Sequence, residues 1–486
     1  MIAIPNRARY GTDCRLTMRR YLGTAALSVA VLLMASAGAT AADLGGDCCA
    51  DIEERVAELE ATTARKGNRK VSLEISGQVS QGLLVWHDGA ETNVYQVANS
   101  HSNDRLRFDG RSRLSPDVFT GFYMEFSLGS PQSASVDQDS DDGAGALRPR
   151  QSLWYLRSKS FGGVSVGLTA PSSDDIIGYN FGRMSLGGSA DTSLVGSNLF
   201  TRDSTVAGAD GLNDRSSGNT MSLRWRRFLP QLDTPIGNLV RYDSPVLHGF
   251  TASASWGEDD RWDVAVRFAR DFGDLRIAAG AGYLEDREEL AFTFGWPQGG
   301  DSDPTGRSGN TILRDMKASM SLMHEPTGLF AAAAYLHRDY SGGDRGTLTF
   351  ACFNSADAAA IRAAGIGCSN RPDFDYVWAA FGLRRDLFGF GVTSIYGEYG
   401  RSEDAISGLN VSVASARGGD LDFVESSVME IWGAGIVQEI GNSGLDVFLS
   451  YHRFAAEVSG LEASGRRINA PIEDADVVFG GSRIRF

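Results

Sequence analysis

From position 105 to 113 every second residue is charged: Arg105, Arg107, Asp109, Arg111 and Arg113. On an extended strand, side chains at period two stand on one face, so the four guanidiniums share a wall. Arginine stays protonated and carries its donors in a rigid fork. Such a row either sets a strong local field at a constriction or, near a rim, holds phosphates and loop acids, and it does not shuttle protons. A second set of charges lies downstream. Asp174 and Asp175 open a stretch that continues through Asp191, Asp203, Asp210 and Asp214, with Arg241 and Arg267 on two later extended segments. A basic wall set against acids makes a strong local field, which aligns polar solutes and sorts them by size and charge. No bond is made or broken in that chemistry.

Catalytic patterns fail on inspection. Gly163-Val164-Ser165-Val166-Gly167 matches the nucleophile pattern of the hydrolases, but that chemistry needs a sharp strand-to-helix turn, and Ser165 lies within an unbroken strand. The six histidines are scattered and form no metalloprotease motif. No histidine sits at ligand spacing from the cysteines, so neither a metal nor a cofactor is expected. Cys352 and Cys368 would close a short loop as a disulfide, with free thiols the alternative. Adjacent Cys48 and Cys49 suit bonds to another chain better than to each other.

Leu106, Phe108, Gly110 and Leu114 occupy the face opposite the arginines. The same alternation recurs in sixteen segments. The first opens at Val71, and the last runs over 474–486 and ends in Phe486. Their connections alternate in length. Ser115-Pro116-Asp117, Phe161-Gly162, Gly273-Asp274, Glu325-Pro326-Thr327 and Gly441-Asn442-Ser443-Gly444 are tight turns, whereas most intervening connections are long loops, 88–103 the first and 172–236 the longest. Sorting of loops by parity, with aromatics near strand ends (Trp86, Phe119, Trp256, Tyr283, Tyr340, Phe388, Phe390, Phe486), points to an all-β, sixteen-stranded antiparallel transmembrane β-barrel. A barrel that wide cannot be filled by wall side chains, so its polar face lines water. Lipid-facing arginine costs roughly 2–4 kcal/mol at mid-bilayer, which places the arginine wall in the lumen.

The N-terminus fits export. Arg15, Arg19 and Arg20 precede an apolar run from Ala25 to Ala39 and then Ala39-Thr40-Ala41, a signal peptide over 1–41 with Met18 as a possible start. Residues 42–70 hold a short helix with Ile52, Val56, Leu59 and Thr63 at coiled-coil spacing, read equally as a surface helix, and the barrel takes 71–486. Net charge is −15 for the whole chain, and the part after residue 41 holds 41 basic and 60 acidic residues. That acidity argues against nucleic acid as a partner.

The chain at this point resembles the Gram-negative outer-membrane porins, and among them the alphaproteobacterial branch. The residues that carry the likeness are Val71-Ser72-Leu73-Glu74-Ile75-Ser76-Gly77-Gln78-Val79 as first strand, the terminal Phe486, and the long third loop after strand five. Cys48-Cys49 and the heptad segment depart from the Cys-flanked aromatic opening of the rhizobial members. The resemblance implies a homotrimer in the outer membrane, in contact with its lipid and lipopolysaccharide. Each barrel would pass small hydrophilic solutes and ions by diffusion past a third loop folded into the lumen. It implies a constriction at Arg105, Arg107, Arg111, Arg113, Arg241, Arg267, Asp174 and Asp175. A substrate-selective channel and a non-transporting barrel are the rivals.

Overall fold

The computed structural model describes residues 71–486 apart from 130, 142–146, 203–219, 231, 258–259, 288–311, 342–372, 408–422, 442, 462–465 and 471. The expected signal peptide, the 42–70 segment, Cys352 and Cys368 lie outside the described residues. The chain forms β1 (Ser72–His87), β2 (Thr92–Ala98), β3 (Arg105–Arg113), β4 (Val118–Leu128), β5 (Leu147–Ser158) and β6 (Gly162–Thr169). β7 (Phe200–Arg202) and β8 (Thr220–Arg224) follow, then β9 (Gly237–Asp243), β10 (Phe250–Gly257), β11 (Trp262–Phe272) and β12 (Leu275–Asp286). Next come β13 (Ile312–His324), β14 (Leu329–Ser341), β15 (Phe374–Arg385), β16 (Thr393–Glu403), β17 (Phe423–Ile440), β18 (Leu445–Leu461), β19 (Arg467–Asn469) and β20 (Ala475–Arg485). Neighbours pair antiparallel, and β1 closes on β20 in a register from Gln78↔Arg485 to His87↔Asp476. β2 and β3 pair successively along β1 and together make one staggered barrel strand, β19 and β20 do the same along β18, and β7–β8 form a separate hairpin. The closed wall thus has sixteen strands, and closure leaves no unpaired backbone edge in hydrocarbon.

Alternation sets the two faces. On β11, Trp262, Val264 and Val266 are exposed to the outside while Asp263 and Ala265 are buried within. On β18, Val447, Leu449 and Tyr451 point out against Asp446, Ser450 and His452. The turns at one end are tight enough to demand glycine. Gly162 has φ +82°, and a Cβ there would lie 2.1 Å from the Asp243 carbonyl oxygen.

Three expectations need correction. The connection over 88–103 is not a loop, because residues 92–98 form β2. Its inner face is apolar: Tyr95 and Val97 are buried inside, while Val94 and Gln96 face out. Trp86 belongs to no aromatic girdle; its side chain is fully buried in the lumen, 5.9 Å from the ring of Tyr95. Nor is the inner face polar all round. Phe330, Leu336, Phe374, Tyr376, Trp378 and Phe479 point inward and join one apolar core with Met184, Leu186, Leu199, Trp225 and Phe228 of the 170–236 connection. That connection enters the lumen and packs on the wall. Burying a large apolar side chain contributes about 1.5–3 kcal/mol, set against about 1–2 kcal/mol per ordered loop residue, so seating so long a loop requires this apolar inner wall.

Candidate pore constriction

On β3 the odd-numbered residues share the inner face with the even-numbered residues of β1, as the register Gln78↔Arg105 and Ser76↔Arg107 requires. Their neighbour on β4 is Glu125, whose side chain is only 3% exposed. Arg107 donates from Nε to Glu125 Oε2 at 2.7 Å, and Arg150 of β5 donates from Nε to Oε1 at 2.9 Å. Arg105 Nη1 lies 3.7 Å from Glu125 Oε1, while its Nε donates to Asn103 Oδ1 at 2.7 Å. Tyr123 donates its hydroxyl to the same carboxylate at 3.0 Å. Three guanidiniums thus converge on one carboxylate. They screen it from water while remaining partly exposed themselves, so the face they present is positive. Below them Tyr155 donates to Asp109 at 3.0 Å, and the Arg157 guanidinium lies 4.8 Å over the Tyr155 ring.

The long connection is held elsewhere on the wall. Arg241 of β9 donates from Nη1 to the carbonyls of Ala170 and Pro171, at 3.1 and 3.0 Å, and pairs with Asp243 at 2.8 Å. Arg267 of β11 donates from Nη2 to the carbonyls of Ser172 and Asp174, at 2.5 and 3.0 Å. The backbone N–H of Ser173 donates to Asp263 at 2.5 Å. The chain then crosses the short-turn end of the lumen: Phe181 N–H donates to Ser321, and Arg183 pairs with Glu439 at 2.8 Å. It climbs past β16 and β18, where Gly187 and Gly188 pack on Tyr396, Glu398 and Ser450. Asn99 Nδ2 donates to the Leu186 carbonyl at 2.7 Å, and Tyr376 donates to that of Ala190 at 2.7 Å.

Acids gather where the loop leaves the wall. The Asp175 N–H donates to both oxygens of Asp233 at 3.0 Å, and Asp175 takes a left-handed φ of 61°. Lys317 of β13 donates to Thr234 at 2.7 Å and stands 3.9 Å from Asp233. Its own β13 neighbour Asp315, 3.7 Å away, is held by Arg338 at 2.6 Å. Depth inside the barrel, then the negative charge of Asp175, pushes Asp174 up to about 6, against the pull of Lys317 and Arg241. Asp233 is raised well above the carboxylate range, first by burial and then by Asp174. The Asp233 side chain stays 27% exposed, so solvent moderates the size of that rise without changing its direction. Burial likewise raises Asp191.

A closed sixteen-stranded wall, tight turns at one end and a long loop inside the lumen are now established. The sequence model for Gram-negative porins matches residues 26–456. The chain belongs to the Gram-negative porin family. The porin is similar in structure to an anion-selective porin from Comamonas acidovorans, at 14% identity and TM-score 0.50, over 86% of this chain and 100% of that one. It is also similar to OmpT, an outer membrane protein of Vibrio cholerae, at 12% identity and TM-score 0.47, over 87% and 99% of the two chains. At these identities the likeness concerns the barrel fold. No curated protein matches the chain in sequence. The porin is a transmembrane β-barrel of the bacterial outer membrane, and barrels of that membrane keep short turns on the periplasmic side and long loops outside.

The eight residues expected at the constriction of this porin fall into three groups. Arg105 and Arg107 stand together over Glu125. Arg111 and Arg113 sit lower, by the periplasmic turn. Arg111 lies 4.3 Å over the Phe119 ring, and Arg113 donates to the carbonyls of Ser115 and Pro116. Arg241, Arg267, Asp174 and Asp175 meet at the root of the third loop, where both arginines hold backbone carbonyls. Sequence reasoning missed Glu125, Arg150, Asp233 and Lys317. A register shift between Glu125 and Phe126 turns Arg150 toward Glu125, and period two alone does not reveal such a shift. Ser165 sits mid-strand on β6, opposite Tyr155 and Arg241.

Proposed function

We propose that the eyelet is the gap between the arginine wall of β3–β5 and the acidic inner edge of the third loop around Asp174, Asp175 and Asp233. Small hydrophilic solutes and ions cross it by passive diffusion, and the barrel performs no chemistry. The single observation that carries this reading is the convergence of Arg105, Arg107 and Arg150 on one shielded carboxylate. All three Nε atoms are occupied within the protein, so the remaining Nη donors form a positive face available to a passing anion. We assign a preference for anions, because the carboxylate that would balance these charges is the group hidden behind them. The wall and the loop acids lie in one barrel, so each copy of a homotrimer has its own pore.

The test is single-channel conductance in a planar bilayer, with the reversal potential read in a salt gradient. Reversal on the anion side for the native protein, moving toward the cation side in a combined Arg107→Gln, Arg150→Gln variant, is expected. Cation-selective native channels, or a reversal potential unmoved by the double substitution, would place the narrowest section elsewhere. Heat-modifiable, folded protein that conducts nothing would end the diffusion reading.

A further inference from the structure

The seat of the third loop holds two histidines that the eyelet does not use. It begins with Gly433 of β17, which pairs with Glu398 of β16 on one side and with His452 of β18 on the other. A Cβ at Gly433 would fall 2.6 Å from Glu398 Cγ and 2.9 Å from His452 Cδ2. The glycine therefore lets the two side chains meet across the strand. His452 Nε2 lies 2.9 Å from Glu398 Oε1, and Trp378 of β15 donates to Oε2 at 3.0 Å. Glu398 and His452 are both buried, and Gly188 of the loop packs on that carboxylate. His101, in the bend between β2 and β3, meets the next loop residue: its Nδ1 lies 3.2 Å from Ser189 Oγ.

The hydrogen bonds assign the state of His101. Ser189 gives its own proton to the Asp191 carbonyl at 3.1 Å, so His101 donates from Nδ1 and its Nε2 is a bare lone pair. That Nε2 and His452 Nδ1 are both sealed from water without a partner. A proton added to His101 under the seated loop would make an N–H with no acceptor, which is costly when buried. The other charges near the pair are engaged. Arg483 of β20 donates to Ser102 and pairs with Asp446, Asp104 accepts from Ser80 and Gln81, and Asp191 of the loop accepts from Ser193. Depth inside the barrel, then His452, holds His101 below its ordinary value of about 6.5. The ring is half-buried, so solvent moderates the size of that drop without changing its direction.

We propose that His101, His452 and Glu398 are positioning residues for the third loop, holding residues 186–190 on the wall in neutral solution and releasing them in acid, so that the pore widens as pH falls. This rests on the diffusion reading above, in which the loop narrows an open pore. Once Ser189 and Gly188 lift, water reaches the His101 ring, which then binds its proton at the ordinary value. The seat is therefore at full strength above about pH 6.5, and the lifted-to-seated ratio rises by up to about tenfold per pH unit below it. Proteoliposome swelling in neutral sugars reads width without reading charge, so the titration of Asp174 does not enter. The ratio of raffinose to arabinose entry into vesicles carrying the native protein should rise severalfold from pH 7.5 to pH 5. His101→Gln keeps a donor toward Ser189 and takes no proton, so its heat-modifiable barrel should show the same ratio at both pH values. Glu398→Gln still accepts from Trp378 and His452 but offers no charge to offset a protonated ring, and should carry the rise to higher pH. Side chains that only fill space would alter the ratio equally at both pH values. A native ratio that stays level or falls in acid would overturn the proposal, as would a full acid rise in His101→Gln or a Glu398→Gln profile identical to the native one. Exclusion of both sugars at every pH would overturn the diffusion reading, and this proposal with it.

Discussion

Glu125 is the residue on which the charge of the wall turns. It is shielded by Arg105, Arg107 and Arg150, and each guanidinium keeps donors directed away from it. Replacing it with glutamine leaves the shape and removes the carboxylate charge that the three arginines share. The reversal potential of Glu125→Gln should therefore move further toward the anion side, opposite in sign to the Arg107, Arg150 double variant. An unchanged potential would mean that the cluster lies outside the narrow section. Asp174 gives a second prediction at this scale. Its carboxyl is pushed up to about 6 by burial and by Asp175. The usual aspartate value is about 3.9, so the folded protein binds this proton more tightly than the unfolded chain does. Stability from this group accordingly increases as pH falls from about 6 to about 4 and is constant below. Between pH 7.5 and pH 5 the loop edge loses negative charge, and anion preference should rise over that interval. Asp174→Asn should show the acid-side reversal potential at both pH values. A native potential that does not change with pH, or a variant that retains the full shift, would show that Asp174 does not face the permeating ions.

The third loop is the element that converts a wide barrel into a narrow one, and its seat is close enough to test sterically. A Cβ on Gly188 would fall 2.4 Å from Glu398 Oε1 and 2.7 Å from the ring of Tyr396, both buried. Neither neighbour has room to withdraw, so the loop must lift. Gly188→Val should raise single-channel conductance and weaken selectivity in a barrel that remains heat-modifiable. Native conductance from the folded variant would show that this contact does not set the width. The strands themselves were legible in the sequence because lipid outside and water inside impose alternation, as on β11 and β18. Legibility failed where that contrast fails. Tyr95 and Val97 face inward on β2 because they meet loop residues there rather than water. Met184-Ser185-Leu186-Gly187-Gly188 has no period at all, because its partners come from β16, β18 and the bend at Asn99. The charged row from 105 was found by spacing. Its counter-charge Glu125 was not, because a cross-strand neighbour is fixed by register, which the sequence does not display.

At the scale of the molecule the outer face has two unlike halves, and the difference bears on assembly. Sixteen strands enclose more space than wall side chains can fill, and here the third loop closes off much of it along β14–β20. Toward β3–β6 the described outward residues near the long-loop edge include exposed Leu147 (56%) and Leu128 (43%), whereas on β16–β18 Arg401 and Arg453 pair with Glu430 and Asp476 on that face. A surface covered by a second copy has no use for headgroup contacts, whereas a lipid-facing one does. Arginine in place of Leu147 separates the two cases by magnitude. Facing lipid near the headgroups it costs about 0–1 kcal/mol, because the side chain reaches water. Sealed in a contact between barrels as an unpaired charge it costs several kcal/mol. Leu147→Arg should therefore shift unheated protein from a trimer band to monomer on gel electrophoresis, and replace openings in threes with single steps in the bilayer. The Arg401→Gln, Arg453→Gln variant, on β16 and β18, should keep both. If Leu147→Arg stays trimeric, this arc faces lipid and the contact between copies must be sought on another part of the wall.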